Sequence, residues 1–255
     1  MSRLILSTLL TAIIIVPSLS AATYGPGPMA GLQEPGLEGD LTIEYASQYI
    51  RRGVEFNPES VLQPSLRFGD RGLQIEAWGN YDLTDSNGEE GKFTEWRYRV
   101  GVGRKSRDAT VALLYTYYDY KTGDRSKTQE VSFESEWGHP FLVGINIYWD
   151  VDRADGFYFN STTGFILEME PLSLTPRVGI GFATGNYNYY YFGEDETTFV
   201  DVQASLDLEL EIAEWVSITG RGLYYELVRS NIREIAEQTR RGDNFWGEAV
   251  LSLHF

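Results

Sequence analysis

Phe245-Trp-Gly-Glu-Ala-Val-Leu-Ser-Leu-His-Phe255 is the stretch whose reading decides the fold. Phe245, Ala249, Leu251, Leu253 and Phe255 share one side of an extended chain. Trp246, Glu248, Ser252 and His254 share the other. A strand places successive side chains on opposite faces, so this segment is apolar on one face and mostly polar on the other.

The same period of two runs back through the chain. It predicts about twelve strands: 40–51, 61–68, 73–83, 94–104, 110–119, 128–137, 141–151, 157–169, 172–184, 198–211, 215–225 and 244–255. Most are about ten residues long, enough for a tilted strand to cross a bilayer. Starting after the second strand, every other link is a tight turn: Gly69–Gly72, Lys105–Asp108, Gly138–Pro140, Glu170–Pro171 and Ile212–Glu214. The links between them are mostly longer and polar: Arg52–Ser60, Thr84–Lys92, Lys121–Lys127, Asp152–Gly156, Gly185–Thr197 and Glu226–Asp243.

A closing strand that ends on Phe255 resembles the last strand of bacterial outer-membrane β-barrels, and Leu251, Leu253 and Phe255 carry the likeness. Short turns alternating with longer loops fit such barrels, which place the short turns in the periplasm. The expected fold is therefore all-β: a transmembrane antiparallel up-and-down barrel of twelve strands with periplasmic N- and C-termini. The competing fold is a soluble secreted barrel or sandwich, whose apolar face would pack inside.

The start of the chain agrees. Arg3 precedes the apolar run Leu4–Val16, and Pro17–Ala22 supplies small residues suited to cleavage. Residues 1–22 read as a secretory signal peptide, cut after Ala22. Residues 23–39 are rich in Gly and Pro and read as a flexible periplasmic segment, leaving 40–255 for the barrel.

Composition narrows the function. There are 37 Asp+Glu against 21 Lys+Arg, a formal net charge of −16. That argues against nucleic acid as a partner. With no cysteine, thiol chemistry and disulfides are excluded. The 17 Tyr, 13 Phe and 6 Trp suit aromatic girdles at two membrane interfaces. Neither of the two histidines, His139 and His254, sits with a nucleophile, so no enzyme and no cofactor is expected. Asp150, Asp152 and Asp155 form a weak calcium-like loop without the EF-hand spacing, better read as a solvated acidic turn. Asn186–Phe192 is expected to be an outer aromatic girdle at extended strand ends. Ser230–Thr239 has the spacing of a short helix over the mouth.

Charged side chains are costly in lipid, so the polar faces should line a lumen. Glu76, Arg97, Arg99, Glu130, Glu134, Arg177, Asp207, Arg221 and Glu248 are its candidate selectivity residues. Hairpin register suggests Arg67 diagonal to Glu76, and Arg221 diagonal to Asp207 with Glu248 close by.

Tyr45-Ala-Ser-Gln-Tyr-Ile-Arg-Arg-Gly-Val-Glu-Phe56, followed by Val61-Leu-Gln-Pro-Ser-Leu66, resembles the opening of the TorF-type porin family. Ser47, Tyr49, Arg52, Gly53, Gln63 and Pro64 carry the match, which covers roughly the first two strands. It implies a porin-like barrel in the outer membrane of a Gram-negative-type bacterium, with no catalytic residues and no defined substrate.

The expected function is passive diffusion of small polar solutes through an acidic lumen, biased to cations. Outer-membrane lipid, lipopolysaccharide and the barrel-assembly machinery are the other expected partners. The alternative is a closed, salt-bridged structural barrel that binds periplasmic or surface partners. Removing Phe255 is expected to impair assembly, read as loss of the heat-modifiable band in detergent gels.

Overall fold

The computed structural model describes residues 37–106, 108–121, 127–239 and 244–255. The signal-peptide reading and nearly all of the Gly/Pro segment lie outside these residues. The barrel itself opens two residues before the expected Asp40.

The wall is built from β1 (Glu38–Ala46), β4 (Val61–Asp70), β5 (Leu73–Asp82), β6 (Phe93–Lys105) and β7 (Ala109–Tyr120). It continues through β8 (Thr128–Trp137), β9 (Phe141–Asp150) and β10 (Gly156–Phe165), with β11 (Leu167–Met169) as a short extension of β10. β12 (Leu172–Ala183), β13 (Thr198–Ala213), β14 (Val216–Leu227) and β15 (Phe245–His254) complete it. Each strand pairs antiparallel with its neighbours, β10 with β12 and β15 with β1, which closes a twelve-stranded ring. Outside the wall lie the small hairpin β2 (Tyr49–Arg51) and β3 (Val54–Asn57), α1 (Gly185–Phe192) and α2 (Ser230–Thr239).

Closure is made by the stretch that opened the reading. β15 runs in register with β1 from Asp40 opposite His254 to Ala46 opposite Glu248. Gly39 and Phe255 exchange backbone hydrogen bonds of 2.7 and 2.9 Å. The Phe255 ring meets Phe68 edge-on at 6.1 Å. It lies so close over Gly39 that a Cβ there would come within 2.3 Å of it, so a larger residue would have to push the ring aside.

The polarity is that of a barrel solvated by lipid. Ile75, Val100, Leu113, Ile147, Val178, Leu206 and Leu251 are exposed on the outer face. Glu95, Glu130, Glu134, Asn146 and Asp207 are buried inside. A soluble barrel has the reverse arrangement, so the soluble reading falls. Trp149 and Phe157 stack outside at 5.3 Å, and Phe93, Trp96 and Tyr98 form a stacked run on the β5–β6 face that Tyr81 meets edge-on at Phe93.

Three expectations need correction. The first strand stops at Ala46 instead of Arg51, because the chain leaves the wall after Ser47 and turns inward as β2–β3. The 157–169 strand breaks at Ile166, which is buried and bonds the Pro140 carbonyl. Asn186–Phe192 is not an extended girdle but the helix α1, with Tyr187 and Phe192 buried. Its tyrosines fill the barrel mouth, where packing overrides the strand preference of aromatics.

Because Leu206 and Leu251 face outward, an arginine at either is expected to cost about 2–4 kcal/mol near the bilayer midplane. At Ile212, by the β13–β14 turn, the same change should cost about 0–1 kcal/mol. Urea unfolding from lipid vesicles measures both.

Candidate functional site

The candidate site is the lumen. It has a wall of paired charges and a plug set into the loop end.

On one side of the wall, Arg221 on β14 faces Asp207 on β13 and Glu248 on β15 in direct register. Its guanidinium donates to Asp207 at 2.9 Å and to Glu248 at 2.7 Å. Arg177 on β12 donates to the other Asp207 oxygen at 3.1 Å and lies 3.4 Å from Glu136. The Trp246 indole N–H donates to Glu248 at 3.0 Å. Charges buried this far persist only when paired, and each arginine here bridges two carboxylates.

On the other side, Arg99 pairs with Glu134 at 2.6 Å and lies 3.7 Å from Glu76. Arg97 pairs with Glu95 at 2.6 Å and sits 3.8 Å from the Trp78 ring centre. The register does place Arg67 opposite Glu76, but Arg67 pairs with Asp40 on β1. Glu76 turns instead to Arg99, so that expected pairing is corrected. A strand has two neighbours, and register alone does not say which one a long side chain chooses.

The plug begins with β2–β3. Its two-residue turn is Arg52-Gly53, with φ of 50° and 80°. Two positive φ values in succession make the type I′ geometry of a tight hairpin. Arg52 adopts it at a cost of about 1 kcal/mol that glycine does not bear. At Gly53 a Cβ would come within 2.4 Å of the Tyr225 hydroxyl and 2.9 Å of Leu227, both on β14, two strands from β1 around the ring. The tip is thus seated against the wall. Tyr49 stacks on Phe56 at 4.9 Å, and Phe56 on Tyr120 at 6.0 Å.

Both tip arginines are held by wall residues. Arg51 donates to Glu95 at 2.9 Å and to the Tyr120 hydroxyl at 2.6 Å. Arg52 takes Glu130 in a two-pronged contact of 2.5 and 3.1 Å. Val54 packs with Tyr158, Tyr187, Phe192, Leu227 and Ile232 in one apolar cluster. Ile232 comes from α2, so Ser230–Thr239 is the helix expected there, and it packs into the mouth. Burial pushes the Tyr187 hydroxyl up to about 12, so it stays protonated at neutral pH. Nearer the turn end, Gln74, Glu76, Arg99 and Leu114 line a gap too small to admit a water molecule.

The remaining candidates resolve simply. Asp150 accepts from the Thr128 hydroxyl and from the backbone N–H of Asp152 and Ala154, so it caps its own turn. Asp152 and Asp155 are exposed. Among the described residues no three His or carboxylate side chains gather as metal ligands do. His139 lies 2.9 Å from Glu168, joining two neighbouring turns, and His254 lies 2.5 Å from Asp40 at the seam. Arg51, Arg52 and their partners Tyr118, Tyr120, Tyr148 and Tyr158 were not among the candidate lumen residues. The Arg-Arg-Gly signal was visible, but it stood in a segment expected to be strand and loop.

No family model and no curated protein matches the chain. Solved structures do. An outer-membrane channel from Pseudomonas putida F1 superposes with a TM-score of 0.50 at 9% identity, covering 91% of this chain and 100% of that one. The NanC porin gives 0.48 at 9% identity over 84% and 98%. The KdgM porin in complex with disordered oligogalacturonate gives 0.46 at 7% identity over 86% and 98%. At such identities the likeness is one of fold.

Arg221→Ala leaves Glu248 without its cation and Asp207 with one of two. A loss of about 3 kcal/mol is expected, since a buried charge is left uncompensated. Arg221→Lys should recover only part of it, because an ammonium lacks the fork that spans both carboxylates. Denaturant midpoints in vesicles test this.

Proposed function

We propose that this chain is an outer-membrane channel for small polar solutes, biased to cations, held closed in this state by its loop-end plug. One observation carries the reading: an exposed apolar exterior encloses a ladder of buried charges with more carboxylate than guanidinium. A barrel built only to be a rigid body could fill its lumen with apolar side chains, often at no loss of stability. Charged lumens lower the energy of ions of opposite sign. In this reading residues 1–22 are a cleaved signal, the turn end and both termini face the periplasm, and the barrel-assembly machinery inserts the chain. Lipid and lipopolysaccharide then surround it. The likeness of residues 45–66 to the TorF-type porins supports the same assignment, with the Arg52-Gly53 turn of that motif forming the plug.

The closed structural barrel is the second reading. The packing of β2–β3, α1 and α2 into the mouth favours it.

Planar-bilayer recording separates the two. The expected result is rare, brief openings of the wild-type protein and frequent ones once residues 49–57 are replaced by a Gly/Ser link. The open state should prefer cations, and the preference should weaken in high salt, where the Debye length shrinks from about 10 Å at 0.1 M to about 3 Å at 1 M. Neutralising Glu134 and Asp207 to amides should reduce it further. Silence from both the wild type and the link variant would establish the structural reading.

A further inference from the structure

The wall arginines and the plug arginines differ in kind. Arg97, Arg99, Arg177 and Arg221 belong to wall strands and cannot leave the lumen without the barrel unfolding. Arg52 is delivered by a hairpin that is not hydrogen-bonded into the wall sheet. What surrounds it is therefore a cage that a mobile group enters.

The cage is specific in its chemistry. Glu130 on β8 meets the guanidinium with both oxygens, at 2.5 and 3.1 Å. The Tyr118 hydroxyl on β7 donates to Glu130 at 2.9 Å and fixes the carboxylate. Tyr148 on β9 lies against the flat cation, 3.5 Å from ring centre to guanidinium carbon. Tyr158 on β10 stands at 5.5 Å, and Tyr187 on α1 packs against Tyr158 at 5.6 Å between ring centres. A planar cation gripped edge-on by a carboxylate and face-on by aromatic rings is guanidinium recognition in both its parts. An ammonium matches neither the fork nor the stack as well. Wall residues supply every group but Tyr187, so the cage persists if the hairpin withdraws.

We propose that the Glu130 cage is a recognition site for guanidinium-bearing solutes, kept shut by the chain's own Arg52, which such a solute displaces on entry. The transport part rests on the channel reading above, whereas the binding part stands without it.

The test uses the full barrel in detergent with Arg52→Ala and methylguanidinium as probe. The variant should melt below the wild type. Methylguanidinium should restore the melting temperature saturably, with half-effect in about the millimolar range. Methylammonium at equal ionic strength should act roughly tenfold more weakly, lacking the planar fork. Adding Glu130→Gln to Arg52→Ala should abolish the restoration. If the alanine variant does not assemble, Arg52→Lys is titrated in the same way. Restoration that never saturates, or that sodium chloride and methylammonium match, overturns the site. In planar bilayers, methylguanidinium current through Arg52→Ala should exceed that through the wild type. Saturable binding without current would keep the site and overturn the channel, whereas current without saturable binding would do the opposite.

Discussion

The rest of the structure depends on one constraint: no backbone N–H or C=O can face hydrocarbon unpaired. The pairing of β1 with β15 meets it, by joining the first strand to the last and leaving the twelve-stranded wall without an edge. Gly39 and Phe255 sit at the end of that seam, where glycine gives the ring room to lie against the backbone. Closure also sorts the side chains. Once the ring is shut, every strand has one face in lipid and one in the lumen, and the period of two sends most of the charge inward.

Inside, the difficulty is reversed. A crowd of carboxylates must be paired without water to share the work. The lumen does this with few guanidinium groups, each shared. Arg221 takes Asp207 and Glu248, Arg177 takes Asp207 and Glu136, and Arg99 takes Glu134 and Glu76. Arginine suits this role because its planar fork offers donors in two directions and never loses its proton. The result is a cross-linked wall, with coupling among strands far apart in sequence.

The plug uses the same chemistry for a different end. β2–β3 carries two arginines to wall carboxylates, Arg52 to Glu130 and Arg51 to Glu95, which Arg97 of the wall also holds. Gly53 docks on Tyr225, and apolar packing with α1 and α2 fills what remains. Wall pairs are carried on hydrogen-bonded strands. Plug pairs are fixed by the fold of a loop, and a loop can move.

The sequence by itself determined the wall. Period two, the alternation of short and long links and the Phe245–Phe255 stretch located all twelve barrel strands, most within one or two residues, because strand periodicity and turn chemistry are local. It also determined which face is polar and that Arg221, Asp207 and Glu248 lie together, expected as a diagonal contact where the structure has direct register. Only the tertiary structure decided what fills the barrel. Residues 49–57 read as a strand end running into a loop and 185–192 as part of a loop with an aromatic girdle, yet one is an inserted hairpin and the other a helix. Their conformation follows from the space inside the mouth, which exists only after closure. The choice of Asp40 over Glu76 by Arg67 has the same origin. Register brought both within reach, and the competing guanidinium of Arg99 drew Glu76 away.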